Sequence, residues 1–228
     1  MIISDGILEH MRQESYRPLS YAELVAVLGI SEEEENKFNK VLGRLEKEGE
    51  IVKTRKNKYG LPEKMNLIKG TMRLNQRGYG ILVPDNVKYP EIFVYSGGLN
   101  GAMHSDKVLV RPSASHNGGQ RPEGEVIRVI KRANQQLVGT FERGKKQDQV
   151  IPDDNRHFYP VYIRPVRKMT VKDGDKVLVN ITAWPGKDRA LEGRIVEVLG
   201  RKGDPGLELQ VVIKKHGLRT EFPEAVLE

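Results

Sequence analysis

The sequence predicts a mixed α and β chain, with a helical N-terminal third followed by two copies of a five-stranded β-barrel. Three observations carry that expectation. Apolar residues in the first third recur at helical spacing behind N-terminal capping signatures, the rest of the chain alternates in short β-like runs, and those runs repeat at an offset of 69 residues.

The helical part comes first. Ile2, Ile3, Ile7, Leu8 and Met11 mark one amphipathic helix. Ser20 followed by Glu23 is a capping box opening YAELVAVL, with Gly29 placed to end it, and Ser31 followed by Glu34 opens a longer helix. That third helix carries Phe38, Val41, Leu42 and Leu45 on one face and runs toward Gly49. EIVKT and MNLI then read as two strands around RKNKYGLPEK, so the order is three helices and a hairpin, the layout of a winged helix-turn-helix. Arg44, Lys47 and the wing residues Lys53, Arg55, Lys56 and Lys58 are candidate phosphate contacts. The run Glu32 to Glu35 stands where a recognition helix enters the major groove. It repels a duplex there, which favours a structural or protein-contacting module over a sequence-specific DNA reader.

The repeat organises the remainder. Gly70-Thr71 recurs as Gly139-Thr140, Ile92-Phe93-Val94 as Val161-Tyr162-Ile163, Asp106 to Val110 as Asp175 to Val179, and Glu123-Gly124 as Glu192-Gly193. Pro84-Asp85 maps to Pro152-Asp153 at an offset of 68, so the second copy is one residue shorter in its first hairpin. In the first copy the strands read KGTMRL, YGILV, EIFVY, DKVLVR and GEVIRVI. Five strands in so short a span are too few for a sandwich and fit a closed barrel of the OB type. The expected organisation is a winged helix at 1–66, barrels at 67–134 and 135–200, and a connector at 201–228.

OB barrels bind nucleic acid across their second and third strands, which here carry Tyr79, Phe93 and Tyr95. Alternation puts Phe93 and Tyr95 on one face, and Gly78 and Gly80 leave Tyr79 uncrowded, so all three are candidates for stacking on bases. A strand position equally allows one of these rings to pack the barrel core. Arg73, Arg77, Lys88, Lys107 and Arg111 are candidate phosphate partners. The second copy has KKQDQVI where the first has RGYGILV, so its expected role is backbone contact through Lys145, Lys146, Arg164, Arg167 and Lys168, or scaffolding.

Charge agrees with a polyanionic partner. The net charge is +7, and the excess sits in the middle: residues 67–134 hold 10 Lys and Arg against 5 Asp and Glu, whereas residues 1–66 hold 11 against 12. The chain has no cysteine, which excludes disulfides, thiol nucleophiles and zinc-thiolate sites. It has no phosphate-binding glycine loop, no GxSxG elbow, five scattered histidines and no converging carboxylates, so neither a catalytic residue nor a metal site is expected. An acidic start and the lack of a long apolar run point to a cytosolic protein without a membrane partner.

Taken in order, TRKNKYGLPEKMNLIKG, the cold-shock-like GYGILVPD and EIFVY, GAMHSDKVLVR, VIPDD, GRIVEVLG and the tail GDPGLELQVVIKKHGLRTEFPEAVLE give the whole chain a resemblance to the N-terminal half of exoribonucleases of the ribonuclease II (RNB) family. The resemblance implies two cold-shock domains that gather single-stranded or 3′-tailed structured RNA, and a winged helix that helps engage structured RNA. It implies the ribosome or RNA-decay proteins as further partners. In the family a catalytic RNB domain follows, whose aspartate cluster binds Mg2+ for processive 3′ to 5′ hydrolysis. No position here matches that cluster, so the cofactor is expected outside this chain and none within it. A winged-helix DNA-binding transcription regulator is the alternative.

Overall fold

The computed structural model describes residues 2–113, 122–164, 170–186, 188–201 and 203–216. The chain divides into two compact units, one of Met1–Arg73, Gly80–Leu99 and Ser105–Arg132, the other of Leu74–Tyr79, Asn100–His104 and Ala133–Glu228. The helical module and most of the first barrel, expected as separate domains, share the first unit.

Three helices, α1 (Ile2–Arg12), α2 (Tyr21–Leu28) and α3 (Glu32–Lys47), bury Ile7, Met11, Leu24, Phe38, Leu42, Leu45 and Ile51 in one core. Both capping boxes form, and Gly29 ends α2 in the left-handed conformation (φ 62°), which glycine adopts without steric cost. A small antiparallel sheet of order β1-β3-β2 joins them, from Leu19–Ser20, Lys58–Gly60 and Val52–Lys53. The hairpin differs from the expectation in two respects. Its second strand is Lys58–Gly60 rather than MNLI, since Asn57 takes a left-handed backbone (φ 56°) and closes a tight turn in which the Thr54 N–H donates to the Lys58 carbonyl at 2.7 Å. Residues Glu63–Met65 form a 3-10 turn behind Pro62, and Leu19–Ser20 adds a third strand too short to show a period. The module is tied to the barrel that follows it: Lys69 Nζ donates to the Glu48 carbonyl (2.7 Å) and Glu50 Oε1 (2.8 Å), and Arg128 donates to Glu46 Oε1 (3.2 Å).

The first barrel consists of β4 (Ile68–Leu74), β5 (Gly80–Pro84), β6 (Ile92–Val94), β7 (Lys107–Pro112) and β8 (Gly124–Lys131), in the order β6-β5-β4-β7-β8. A single parallel bridge, Phe93 to Glu123, brings its edge strands together, with the Phe93 N–H on the Pro122 carbonyl at 2.8 Å. The second barrel consists of β9 (Gln136–Glu142), β10 (Gln149–Pro152), β11 (Val161–Ile163), β12 (Asp175–Ala183) and β13 (Glu192–Arg201), and is closed by a parallel β11–β13 pair, Tyr162 to Glu192 and Ile163 to Gly193. Helix α4 (Leu207–His216) occupies part of the stretch expected to be a connector. Its Leu207 is buried with Val138, Leu178 and Leu199.

The sequence repeat is also a repeat of contacts. Lys107 Nζ reaches Thr71 Oγ1 at 2.9 Å and Asp85 Oδ1 at 2.7 Å, and Lys176 Nζ reaches Thr140 Oγ1 at 2.8 Å and Asp153 Oδ1 at 2.5 Å. Buried Asp106 pairs with Arg132 (2.8 Å), and its counterpart Asp175 lies 3.7 Å from Arg201. Gly70 and Gly139 both pass under a neighbouring strand, where a Cβ would stand 2.3 Å from the carbonyl oxygens of Val83 and Ile151. That approach admits no side chain. Gly139→Ala is therefore expected to destabilise the chain by about 1–3 kcal/mol, read as a lowered midpoint of chemical unfolding followed by circular dichroism.

Candidate nucleic-acid interface

Strand β6 alternates Ile92 and Val94 into the core with Phe93 outward. Tyr95 follows on the same face, 56% exposed, and the two rings meet edge to face with centroids 4.7 Å apart and planes at 72°. The Tyr95 hydroxyl donates to Glu123 Oε1 at 3.1 Å. Glu123 therefore orients the tyrosine, and its carboxylate raises the phenol pKa above the ordinary value by accepting that hydrogen bond and by charge repulsion with the phenolate. A pair of outward rings, one of them pinned at its hydroxyl, is a stacking surface with little rotamer freedom left to lose.

Tyr79 is placed differently from the expectation. It precedes β5 instead of lying on it, half-buried after a turn in which Asn75 Oδ1 accepts from the N–H groups of Arg77 and Tyr79, and it belongs to the second unit. The stacking pair described on the first unit is thus Phe93 with Tyr95. Among the cations, Arg73, Arg77, Lys88 and Arg111 are exposed, Arg111 at 3.9 Å from Glu125. Lys107 is engaged by Thr71 and Asp85, so its charge is answered within the barrel instead of being offered to a phosphate.

On the hairpin, Arg55 and Lys56 occupy the exposed turn, whereas Lys53 lies over the Tyr59 ring at 5.4 Å and Lys58 lies 3.9 Å from Glu23. Arg44 and Lys47 are exposed on α3, whose first turn is wholly acidic. In the second barrel, Arg164 Nε donates to Glu192 Oε2 at 2.8 Å, the counterpart of the Tyr95–Glu123 bond, and Lys145 and Lys146 are exposed. Arg167 and Lys168 lie outside the described residues. Among the described residues no three His, Asp or Glu converge as metal ligands. Asp153 is taken by Lys176, and Asp154 is held well below the usual carboxylate range by the Arg156 guanidinium hydrogen-bonded to it.

The model of the ribonuclease B OB domain matches residues 70–129, and that of the cold shock domain matches residues 150–223. Ribonuclease R of Vibrio parahaemolyticus is 33% identical over 223 residues, 96% of this chain. The enzyme of Escherichia coli is 32% identical over 221 residues, again 96% of it. The chain is homologous to the N-terminal region of ribonuclease R.

The chain spans about a quarter of these relatives, 26% and 27% of their lengths. Among solved structures, Mycoplasma genitalium RNase R in complex with ribose-methylated single-stranded RNA superposes with a TM-score of 0.61 at 18% identity, over 70% of this chain and 26% of that one. A yeast pseudonuclease gives 0.56 at 18% identity over 67% and 25%. At those identities the likeness to ribonuclease R structures is one of fold.

Glu123 has no motif of its own, and only the repeat marks it, as the counterpart of Glu192. Its effect on Tyr95 is measurable. The phenolate absorbance attributable to Tyr95, obtained by subtracting the titration of Tyr95→Phe, is expected to appear at higher pH than that of an ordinary tyrosine and to move down in Glu123→Gln. An unmoved titration in Glu123→Gln would show that the hydrogen bond does not hold the ring.

Proposed function

We propose that this chain is the RNA-binding, substrate-recruiting part of a ribonuclease R-like 3′ to 5′ exoribonuclease that works in the cytoplasm. The observation that carries the reading is homology along nearly the whole chain, together with the Phe93–Tyr95 pair on the barrel face that OB folds use for nucleic acid. In this reading both barrels are cold-shock-type OB domains, and the N-terminal module is a winged helix whose Arg55 and Lys56 touch the backbone of structured RNA. On the first unit Phe93 and Tyr95 stack on bases while Arg73, Lys88 and Arg111 neutralise phosphates; on the second unit Tyr79 is a candidate stacking ring and Arg77 a candidate phosphate contact. Hydrolysis, and the Mg2+ it uses, belong to a catalytic domain outside residues 1–228. The ribosome or RNA-decay proteins are further partners of the whole enzyme.

Stacking supplies about 1–3 kcal/mol per base, and phosphate contacts make affinity fall with salt. Fluorescence anisotropy with labelled single-stranded RNA, 3′-tailed duplex RNA and duplex DNA tests the reading. The expected result is tighter binding of single-stranded and tailed RNA, weakened at least roughly tenfold in Phe93→Ala/Tyr95→Ala. Arg73→Gln should reduce the slope of log affinity against log salt by about 0.7, whereas Lys107→Gln should leave the slope unchanged and lower only stability. Preference for duplex DNA would instead favour a winged-helix DNA-binding regulator, against which the exposed acidic start of α3 stands.

A further inference from the structure

We propose that the outer face of the second barrel around Tyr162 is a second, base-selecting RNA subsite, one that takes a nucleobase carrying an exocyclic amine in preference to uracil. The proposal rests on the RNA-binding reading above and extends it to a barrel without the glycine-flanked aromatic that precedes β5 in the first.

Tyr162 is the positional counterpart of Phe93, and it stands in a row that crosses four strands. Gln149 of β10 is its antiparallel partner, Glu142 of β9 is the partner of Gln149, and Glu192 of β13 is its parallel partner. The alternating neighbours Val150, Val161 and Ile163 are buried in the core, so the row faces outward. At the Tyr162 and Glu192 end of the row lies an open pocket of about 540 Å³, also lined by Lys146, Gln147 and Ala190. Arg164 bonds to Glu192 Oε2 at 2.8 Å and stands where the first barrel has Tyr95, so a planar guanidinium replaces the second ring. The arrangement keeps what stacking needs, an aromatic face beside a planar cation, with Lys146 at the rim for a phosphate.

The chemistry around the ring is what differs. In the first barrel the same row reads Arg73, Ile81, Phe93 and Glu123, with Phe93 paired to aliphatic Ile81, a cation where the second barrel has Glu142, and one carboxylate that accepts from the Tyr95 hydroxyl. In the second it reads Glu142, Gln149, Tyr162 and Glu192. Gln149 Nε2 donates to Glu142 Oε2 at 3.0 Å, which engages one of its two amide N–H groups and turns the amide nitrogen toward Glu142. Glu142 and Glu192 each have one oxygen engaged within the row, by Gln149 and Arg164, and their remaining carboxylate oxygens beside the ring accept hydrogen bonds from the amino group of adenine or cytosine and repel the carbonyl oxygen that uracil carries in its place.

The test is anisotropy of the 228-residue chain with labelled oligoadenylate and oligouridylate of equal length at one salt concentration. Oligoadenylate is expected to bind more tightly. Tyr162→Ala should weaken oligoadenylate roughly tenfold while Tyr162→Phe retains it, and Glu142→Gln/Gln149→Ala, at surface positions, should remove the preference for adenylate without loss of oligouridylate binding. Unaltered adenylate binding in Tyr162→Ala, or an unaltered preference in the double variant, alongside weakened binding in Phe93→Ala/Tyr95→Ala, would overturn the subsite and leave the proposed function standing. Absence of RNA binding by the unaltered chain would overturn both.

Discussion

Each barrel depends on one close passage. The first strand must run hard against the end of the second, at 2.3 Å from the site a Cβ would occupy, and only Gly70 and Gly139 allow it. The passage then brings Thr71 and Thr140 level with a lysine of the fourth strand, whose ammonium bridges to an aspartate just beyond the second strand. The lysine therefore links three strands that are far apart in sequence. With the second strand held in this way, the third is set in register beside it, and its outward residues Phe93 and Tyr162 come to matching places. The candidate binding residues are positioned by a partly exposed ion pair whose charges are answered within the barrel.

That division of labour explains why two barrels built alike differ in what they present. The repeat of framework contacts is strict: glycine, threonine, lysine, aspartate, and a buried aspartate with its arginine. The exterior row is free to vary, and it has done so from Arg73, Ile81 and Phe93 to Glu142, Gln149 and Tyr162. The glutamate at the end of each row is shared, and in both copies it fixes the group two residues past the ring, the Tyr95 hydroxyl in one and the Arg164 guanidinium in the other. A generic stacking surface and an edge-reading one are two surfaces on one frame.

Much of this was legible in the sequence because it was local or periodic. Helices α2 and α3 carry their own start signals, and ten strands were readable from two aligned copies. The features that the sequence pattern does not show depend on distant partners or on turn geometry. Lys107 looks like a free cation until Asp85, 22 residues away, is seen to hold it. The N-terminal hairpin is shorter than its sequence pattern because a left-handed Asn57 closes it early, and Tyr79 falls outside a strand because the Asn75 turn that precedes β5 has no period. Tyr162 is visible in the repeat, but the groups around it are not. Its neighbours lie across strands, on β10 and β13, where sequence order gives no adjacency.

The central claim is that RNA lies on the outer faces of the third strands. Ultraviolet cross-linking of the chain to single-stranded RNA, followed by mass-spectrometric mapping of the modified peptides, addresses it directly, since stacked aromatic rings cross-link to the bases they touch. The account predicts adducts on Phe93 or Tyr95 and on Tyr162. Adducts confined to Arg55, Lys56 and the exposed face of α3, with none on β6 or β11, would contradict it and move the binding surface to the N-terminal module.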